Sequence, residues 1–176
     1  LLPIHLLWVN LITDSLPAIA LGLDRPEEDV MEAMPIATDK SLFSGGLGFR
    51  IGCEGFMIGF LALIAFGIGH KYYDAGEIHN ISRTMAFAVL SISQLVHAFN
   101  MRTDKSIFKI HILSNKYLCL AFVVGIAMQM SVIMVPVLSS IFAVSALSLK
   151  QWAIVMGLSF IPVIFVEFEK AVLGKK

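Results

Sequence analysis

Residues 8–24 read WVNLITDSLPAIALGLD, and they place a carboxylate, Asp14, near the middle of an apolar run that covers residues 1–22. A run of about 20 apolar residues is long enough to cross the hydrocarbon core of a bilayer as a helix. An ionised aspartate at the centre of such a helix costs about 2.5–3.5 kcal/mol on insertion scales. Because this cost is near its largest at Asp14, we expect the residue to serve a function.

Two further oxygen-bearing side chains accompany this carboxylate. Asn10 lies four residues and Thr13 one residue before Asp14, and the spacing predicts that the three share one helical face. Carboxylate, amide and hydroxyl oxygens are the ligands that hard cations such as Ca²⁺ and Mn²⁺ prefer. Pro17 lacks a backbone N–H and clashes with the carbonyl of Thr13, so the helix is predicted to loosen there and free carbonyl oxygens as ligands. The alternative is that these side chains only hydrogen-bond to neighbouring helices.

The composition of the whole chain indicates a membrane protein. Of its 176 residues 57% are hydrophobic and only 15% are charged, and the mean hydropathy is +0.83. Soluble domains carry about 25% charged residues, so the composition argues against a water-soluble enzyme. The formal net charge is zero, which argues against a nucleic-acid partner. Cys53 and Cys119 lie in apolar runs, so neither a disulfide scaffold nor a CxxC metal site is expected.

The predicted fold is an all-α membrane protein, a bundle of about five transmembrane helices. The candidate spans cover residues 1–22, 47–69, 81–101, 117–137 and 152–168. Glycines in the second span recur at small-xxx-small spacings, which allow close contact between helices. Ten of the 13 Lys and Arg residues belong to the loops 23–46 and 102–116, to the adjoining Arg50 or to the tail. The positive-inside rule therefore predicts that these loops and the C-terminus are cytoplasmic.

The stretch around Asp14 closely resembles the sixth transmembrane helix of calcium-transporting P-type ATPases, which carries N-L-x-T-D-x-x-P-A. Asn10, Thr13, Asp14 and Pro17 match that pattern in register. Residues 42–50 and 149–152 resemble later parts of the same proteins, so the resemblance covers the whole chain. It implies helices six to ten of a ten-helix transporter, with Ca²⁺ as the transported ion. It also implies that Asn10 and Asp14 bind the ion and that Thr13 contributes a hydroxyl.

The same resemblance assigns one more ligand position, in the third span. Residues 89–100 read VLSISQLVHAFN and place Gln94 where two-site calcium pumps carry a glutamate. An amide offers an oxygen but no charge, which weakens a second cation site. The implied metal ligands are therefore Asn10, Thr13, Asp14 and Gln94, and we expect one ion per cycle.

Two further titratable residues in predicted spans, His97 and Glu54, could take part in transport. His97 follows Gln94 by three residues on the same face. It could carry a counter-transported proton, and we favour the alternative of an ordinary hydrogen bond between helices. Glu54 could be a buried acid with a role in transport, and we favour a structural role at the cytoplasmic interface or in a pair with Arg50.

The chain lacks the catalytic segments of such a pump. It contains no D-K-T-G-T phosphorylation segment, no T-G-E loop and no Walker-type phosphate loop. The chain alone is not expected to hydrolyse ATP, and Mg²⁺ and ATP would belong only to a full-length parent. The expected partners are the remaining helices and cytoplasmic domains of that parent together with membrane lipid, and a bacterial plasma membrane is the expected location.

Three alternatives remain open at this point. The ion could be Mn²⁺, Na⁺ or H⁺ instead of Ca²⁺, because a set of oxygen ligands does not exclude all of these ions. The chain could also be a free-standing membrane carrier, or an assembly protein. A carrier should show an internal inverted repeat, and no second predicted span contains a complete N-x-x-x-D pattern. The opening residues LLPIHLLW begin within an apolar run without Met, so we expect a piece of a longer protein.

Overall fold

The computed structural model describes residues 1–24, 47–74, 80–102 and 114–173, and within these ranges all regular structure is helical. Five helices are long and apolar enough to span a membrane, which confirms the predicted all-α bundle. Most of the two predicted loops, 23–46 and 102–116, lies outside the described residues. In chain order the helices are α1 (Pro3–Gly22), α2 (Leu47–Tyr72), α3 (Asn80–Met101), α4 (Lys116–Met134), the short α5 (Pro136–Ile141) and α6 (Leu149–Leu173).

The ends of α4 and α6 differ from the predicted spans for local reasons. The helix α4 ends at Met134, short of the predicted residue 137, because Val135 precedes Pro136 and adopts an extended backbone. The helix α6 begins at Leu149, three residues before the predicted span, and continues through Lys170. Hydropathy detects the apolar stretch that crosses the bilayer, whereas the helix continues over polar residues at its ends.

The most polar of the five helices, α3, lies at the centre of the bundle. Inside the described structure, 72% of its span is buried, compared with 28–33% for the other four spans. It packs against α1, α2, α4 and α6. Its buried apolar side chains form the main core, in which Met85, Phe87, Val89 and Leu95 are fully buried.

The first half of α1 is fixed to this core by a histidine. The backbone N–H of Leu2 donates to Nδ1 of His5 at 3.2 Å, so Nδ1 is the acceptor nitrogen of this ring. The other nitrogen, Nε2, then carries the hydrogen and donates to the Phe142 carbonyl at 2.6 Å. The ring also stacks on Phe87, with 4.5 Å between centroids. Beyond His5, Trp8 donates to Oε1 of Gln129 on α4 at 2.9 Å.

The middle of α1 is not α-helical. Residues Val9–Asp14 form a π-helix between two α-helical segments, Pro3–Trp8 and Ser15–Gly22. The predicted loosening before Pro17 is therefore confirmed, and it takes the form of a wider turn. Two hydroxyls hydrogen-bond to carbonyls of this segment: Thr13 donates to Val9 at 2.7 Å, and Ser15 donates to Asn10 at 3.1 Å.

The closest glycine contact of the bundle joins α2 and α3. A Cβ atom on Gly69 would lie 2.5 Å from Cα of Ser82, whereas Cβ atoms on Gly52, Gly55 or Gly59 would meet nothing within 4 Å. Within the described residues, the spaced glycines of α2 therefore face open space, and Gly69 is the glycine on which the α2–α3 packing depends.

We predict that Gly69→Ala destabilises the bundle by about 1–3 kcal/mol, the usual cost of overpacking against atoms that cannot move aside. The matched control is Gly67→Ala, two residues away on the same helix, where an added Cβ would meet nothing within 4 Å. Because alanine favours helix by about 1 kcal/mol over glycine, the control is expected to be neutral or stabilising. Unfolding of the purified protein in detergent, followed by circular dichroism, measures both. Equal stability of the two variants would contradict the α2–α3 packing.

Candidate cation site

A cavity of about 510 Å³, open on one side, lies between the second half of α1, the first half of α2 and the second half of α3. Most of its wall is apolar. The polar side chains that line it come from all three helices, and they are Thr13, Asp14, Glu54, Gln94 and His97.

Thr13 and Gln94 meet across the α1–α3 interface. The Thr13 hydroxyl is buried and lies 2.7 Å from the Val9 carbonyl and 3.2 Å from Oε1 of Gln94. A hydroxyl has one hydrogen, so it donates to one of these two oxygens at a time. The contact brings together a hydroxyl oxygen and an amide oxygen, both of which are ligand types for hard cations.

The Asp14 side chain is exposed at the cavity, next to this pair of oxygens. It is the last residue of the π-helical segment. The structure thus brings together three of the four side chains that the sequence analysis proposed as ligands: Thr13, Asp14 and Gln94. The fourth, Asn10, is exposed and is not part of the cavity wall.

Glu54 is buried at the same cavity, and both of its carboxylate oxygens are engaged. Oε1 accepts from Nε of Arg50 at 2.9 Å, and Oε2 lies 3.2 Å from Nε2 of His97. The predicted Glu54–Arg50 pair is confirmed, and so is the interpretation of His97 as a partner in a hydrogen bond between helices. The sequence alone did not indicate a contact between Glu54 and His97. Since α2 and α3 are consecutive and pack together, the beginning of one lies near the end of the other, and that relation could have indicated the pair.

A chain of hydrogen bonds continues from this pair to α6, and it indicates which ring nitrogen of His97 carries the hydrogen. The amide nitrogen of Asn100 lies 3.3 Å from Nδ1 of His97 and donates to the Pro162 carbonyl at 3.3 Å. An amide N–H can only donate, so Nδ1 accepts and Nε2 carries the hydrogen that is donated to Glu54. The end of α6 adds two links, from Lys170 to the Asn100 carbonyl at 2.9 Å and from Glu169 to Arg50 at 3.7 Å. His97 and Glu54 thus join α2, α3 and α6.

The described residues supply part of a cation site. Among them, no three His, Cys, Asp or Glu side chains come together as a metal-binding group. Two carboxylates of the described part of the chain line the cavity. Glu54 already contacts Arg50 and His97, whereas Asp14 takes part in none of the contacts with a cation or a histidine described above. Neutral oxygens from Thr13 and Gln94 line the same cavity. Such a set suits a hard cation whose remaining ligands come from backbone carbonyls or from other helices.

Comparison with known proteins agrees with this geometry. Residues 1–172 match the family described as "Cation transporting ATPase, C-terminus". The chain is 46% identical to "Calcium-transporting ATPase 1" of Bacillus cereus over 99% of the chain and 21% of that relative. It is 40% identical to "Calcium-transporting ATPase" of Bacillus subtilis over 92% of the chain and 18% of that relative. For "Calcium-transporting ATPase 1" of Lactococcus lactis the identity is 34%, over 97% of the chain and 19% of the relative.

The chain spans about a fifth of the length of these curated relatives. The family match over residues 1–172 includes the π-helical segment and the residues that line the cavity. With a family match over residues 1–172 and five apolar helices long enough to span a membrane, the chain belongs to the cation-transporting ATPase C-terminus family.

Proposed function

We propose that this chain is the C-terminal membrane region of an ATP-driven calcium pump of the P-type ATPase class, and that it supplies part of the site that binds the transported ion. The observation that carries the proposal is the cavity at which Asp14, Thr13 and Gln94 meet beside a π-helical segment. The relatives named calcium-transporting ATPases support Ca²⁺ as the ion.

In this proposal Asp14 provides the negative charge, and Thr13 and Gln94 provide neutral oxygens. Asn10 remains in the proposed ligand set as the first member of the N-x-x-T-D pattern. Its side chain is exposed, because none of the described residues covers this part of α1. In this proposal the π-helical turn departs from the regular α-helical hydrogen bonds beside Asp14, and backbone carbonyls of this segment would join the ion's shell. The remaining helices of the parent would complete the ion's shell.

The parent protein would supply everything that consumes ATP. Phosphorylation and nucleotide binding, with Mg²⁺ and ATP, belong to domains that precede this region in such a pump. The proposed location is a bacterial plasma membrane, with lipid around the bundle and the C-terminus in the cytoplasm. The count of Lys and Arg residues near the helix ends supports this orientation.

We predict that Asp14→Asn in the full-length pump abolishes ATPase stimulation at the calcium concentrations that saturate the wild type, while ATP binding is retained. The amide keeps the shape of the side chain and removes the charge that holds a divalent cation. Half-maximal activation is expected to need at least about 100-fold more Ca²⁺, because changes in the outer shell of a metal site already cost about 10–100-fold. Calcium titration of the ATPase rate provides the measurement.

The matched control is Glu167→Gln, which also replaces a carboxylate with an amide but lies on α6 outside the cavity wall. Its calcium activation is expected to match the wild type. Unchanged calcium stimulation in the Asp14 variant would mean that Asp14 is structural. If calcium does not stimulate the wild type, the same assay with Mn²⁺, Na⁺ and a pH series identifies a different ion and refutes the calcium assignment.

We also predict a single Ca²⁺ bound per phosphorylation site, because Gln94 contributes no charge where a second ion would need one. Equilibrium binding of radioactive calcium, divided by the maximal phosphoenzyme level, measures this ratio. Gln94→Glu is expected to tighten calcium binding or to admit a second ion. Two ions per site in the wild type would show that the neutral amide does not limit the stoichiometry.

A further inference from the structure

Asp24 and Arg102 form an ion pair between the ends of two helices that are distant in sequence. Asp24 follows α1 and Arg102 follows α3. Nε of Arg102 donates to Oδ2 of Asp24 at 2.6 Å, and Nη2 donates to Oδ1 at 3.3 Å, so the contact is bidentate. Nη2 also donates to the hydroxyl of Ser114, just before α4, at 2.6 Å. Both charged side chains are mostly buried, with exposures of 14% for Arg102 and 20% for Asp24.

A second polar contact holds the last turn of α1 at the same end of the bundle. The amide nitrogen of Asn115 donates to the Ala20 carbonyl at 3.0 Å, and its Oδ1 accepts from the backbone N–H of Leu118 at 2.9 Å. The Ala20 carbonyl is one of the last four of α1, which have no partner within the helix. Asn115 therefore caps the beginning of α4 and the end of α1 together. We call Asp24, Arg102, Ser114 and Asn115 the end clamp.

The fully buried apolar contacts at this end of α1 involve mostly small side chains. The buried cluster here consists of Ala20, Ala98, Leu118 and Ala121, and the partly buried Leu16, Leu21 and Phe99 pack against it. Three alanines bury little surface, and apolar contacts do not fix direction. A bidentate arginine–carboxylate contact and a buried amide–carbonyl bond do fix direction. The rotation and depth of this half of α1 therefore depend on the end clamp.

This half of α1 connects the clamp directly to the proposed ion site. Ser15–Gly22 is a short, regular helix between Asp14 and the clamp. Asp14 and Asp24 are ten residues apart, which corresponds to about 15 Å along a helix. The π-helical segment lies immediately before this short helix. A movement at the clamped end is therefore carried to Asp14 by the rigid helix, and the wide π-helical turn on the other side absorbs the movement.

We propose that Asp24 and Arg102 are positioning residues that hold Asp14 in register with Thr13 and Gln94, and so determine the apparent calcium affinity of the pump. The inference rests on the proposed function, because it concerns the same ion site. The two residues do not touch the cavity, which Asp14, Thr13 and Gln94 line. Their effect would reach the ion through the position of α1 relative to α3.

The test uses the full-length pump and four variants: Arg102→Gln, Asp24→Asn, the two combined, and the exchange Asp24→Arg with Arg102→Asp. Either single substitution is expected to raise the calcium concentration for half-maximal activation by about threefold to tenfold, the range of a partly buried charge pair. The maximal rate at saturating calcium should change by less than about twofold, since the chemistry is untouched. The combined variant should lose no more than either single one, because both remove the same contact.

The exchange variant separates positioning from general stability. It restores an opposite-charge pair at the same place, so it should recover calcium activation to within about twofold of the wild type. The matched control is Arg83→Gln, which removes an arginine contact at the other end of α3, to the Ala143 carbonyl. This control should leave the calcium response unchanged, and thermal inactivation is recorded for every variant.

Three outcomes would overturn the proposal. Single variants with wild-type calcium activation would show that the pair does not position Asp14. A loss that the exchange does not recover, with lower thermal stability, would show a structural role only. The same shift in Arg83→Gln would show that any weakened contact of α3 has this effect. Failure of the proposed function gives a different result from failure of this inference. In that case calcium stimulation would persist in Asp14→Asn, whatever the clamp variants show.

Discussion

The structure is organised around the cost of holding polar and charged side chains, Asp14 and Glu54 among them, within the bilayer. Lipid offers no hydrogen bonds to a backbone or to a charged side chain, so groups at that depth must be matched inside the protein. The helix α1 meets this requirement with a π-helical turn at Val9–Asp14 in which the hydroxyls of Thr13 and Ser15 donate to carbonyls. The wide turn and the carboxylate lie together, because Asp14 is the last residue of the π-helical segment and Pro17 follows three residues later.

The central position of α3 follows from the same requirement. A helix that carries serines, Gln94, His97 and Asn100 is poorly suited to face lipid, and it is the most buried of the five. Its polar side chains then become the points at which other helices attach. Gln94 meets α1, His97 meets α2, and Asn100 meets α6.

The helix α1 is held on both sides of its irregular turn, by different chemistry on each side. Before the turn, His5 and Trp8 combine aromatic packing with single hydrogen bonds. After it, the end clamp uses an ion pair and an amide over a small alanine cluster. The segment that carries Asp14 lies between these two attachments, and this arrangement suits the proposed ion site.

Much of this could be predicted from the sequence, because the relevant properties are local. The bilayer thickness sets the length of an apolar run, so the five spans were evident, and the insertion cost of a lone carboxylate singled out Asp14. The loosening of α1 followed from Pro17, whose effect reaches only four residues back. The helix ends were less certain, since hydropathy reports the apolar stretch and Pro136 ended α4 before the predicted residue 137.

The tertiary structure alone decided which side chains meet. Nothing local to Glu54 or His97 shows that they pair, and the spaced glycines of α2 gave no sign that the close contact would form at Gly69. Asp24 and Arg102 are separated by 78 residues, and their pairing depends on how α1 and α3 are placed. The sequence determined which residues are costly to bury and where the chain crosses the membrane. How the helices rotate and pack decided the partners, because that geometry is a property of all five helices together.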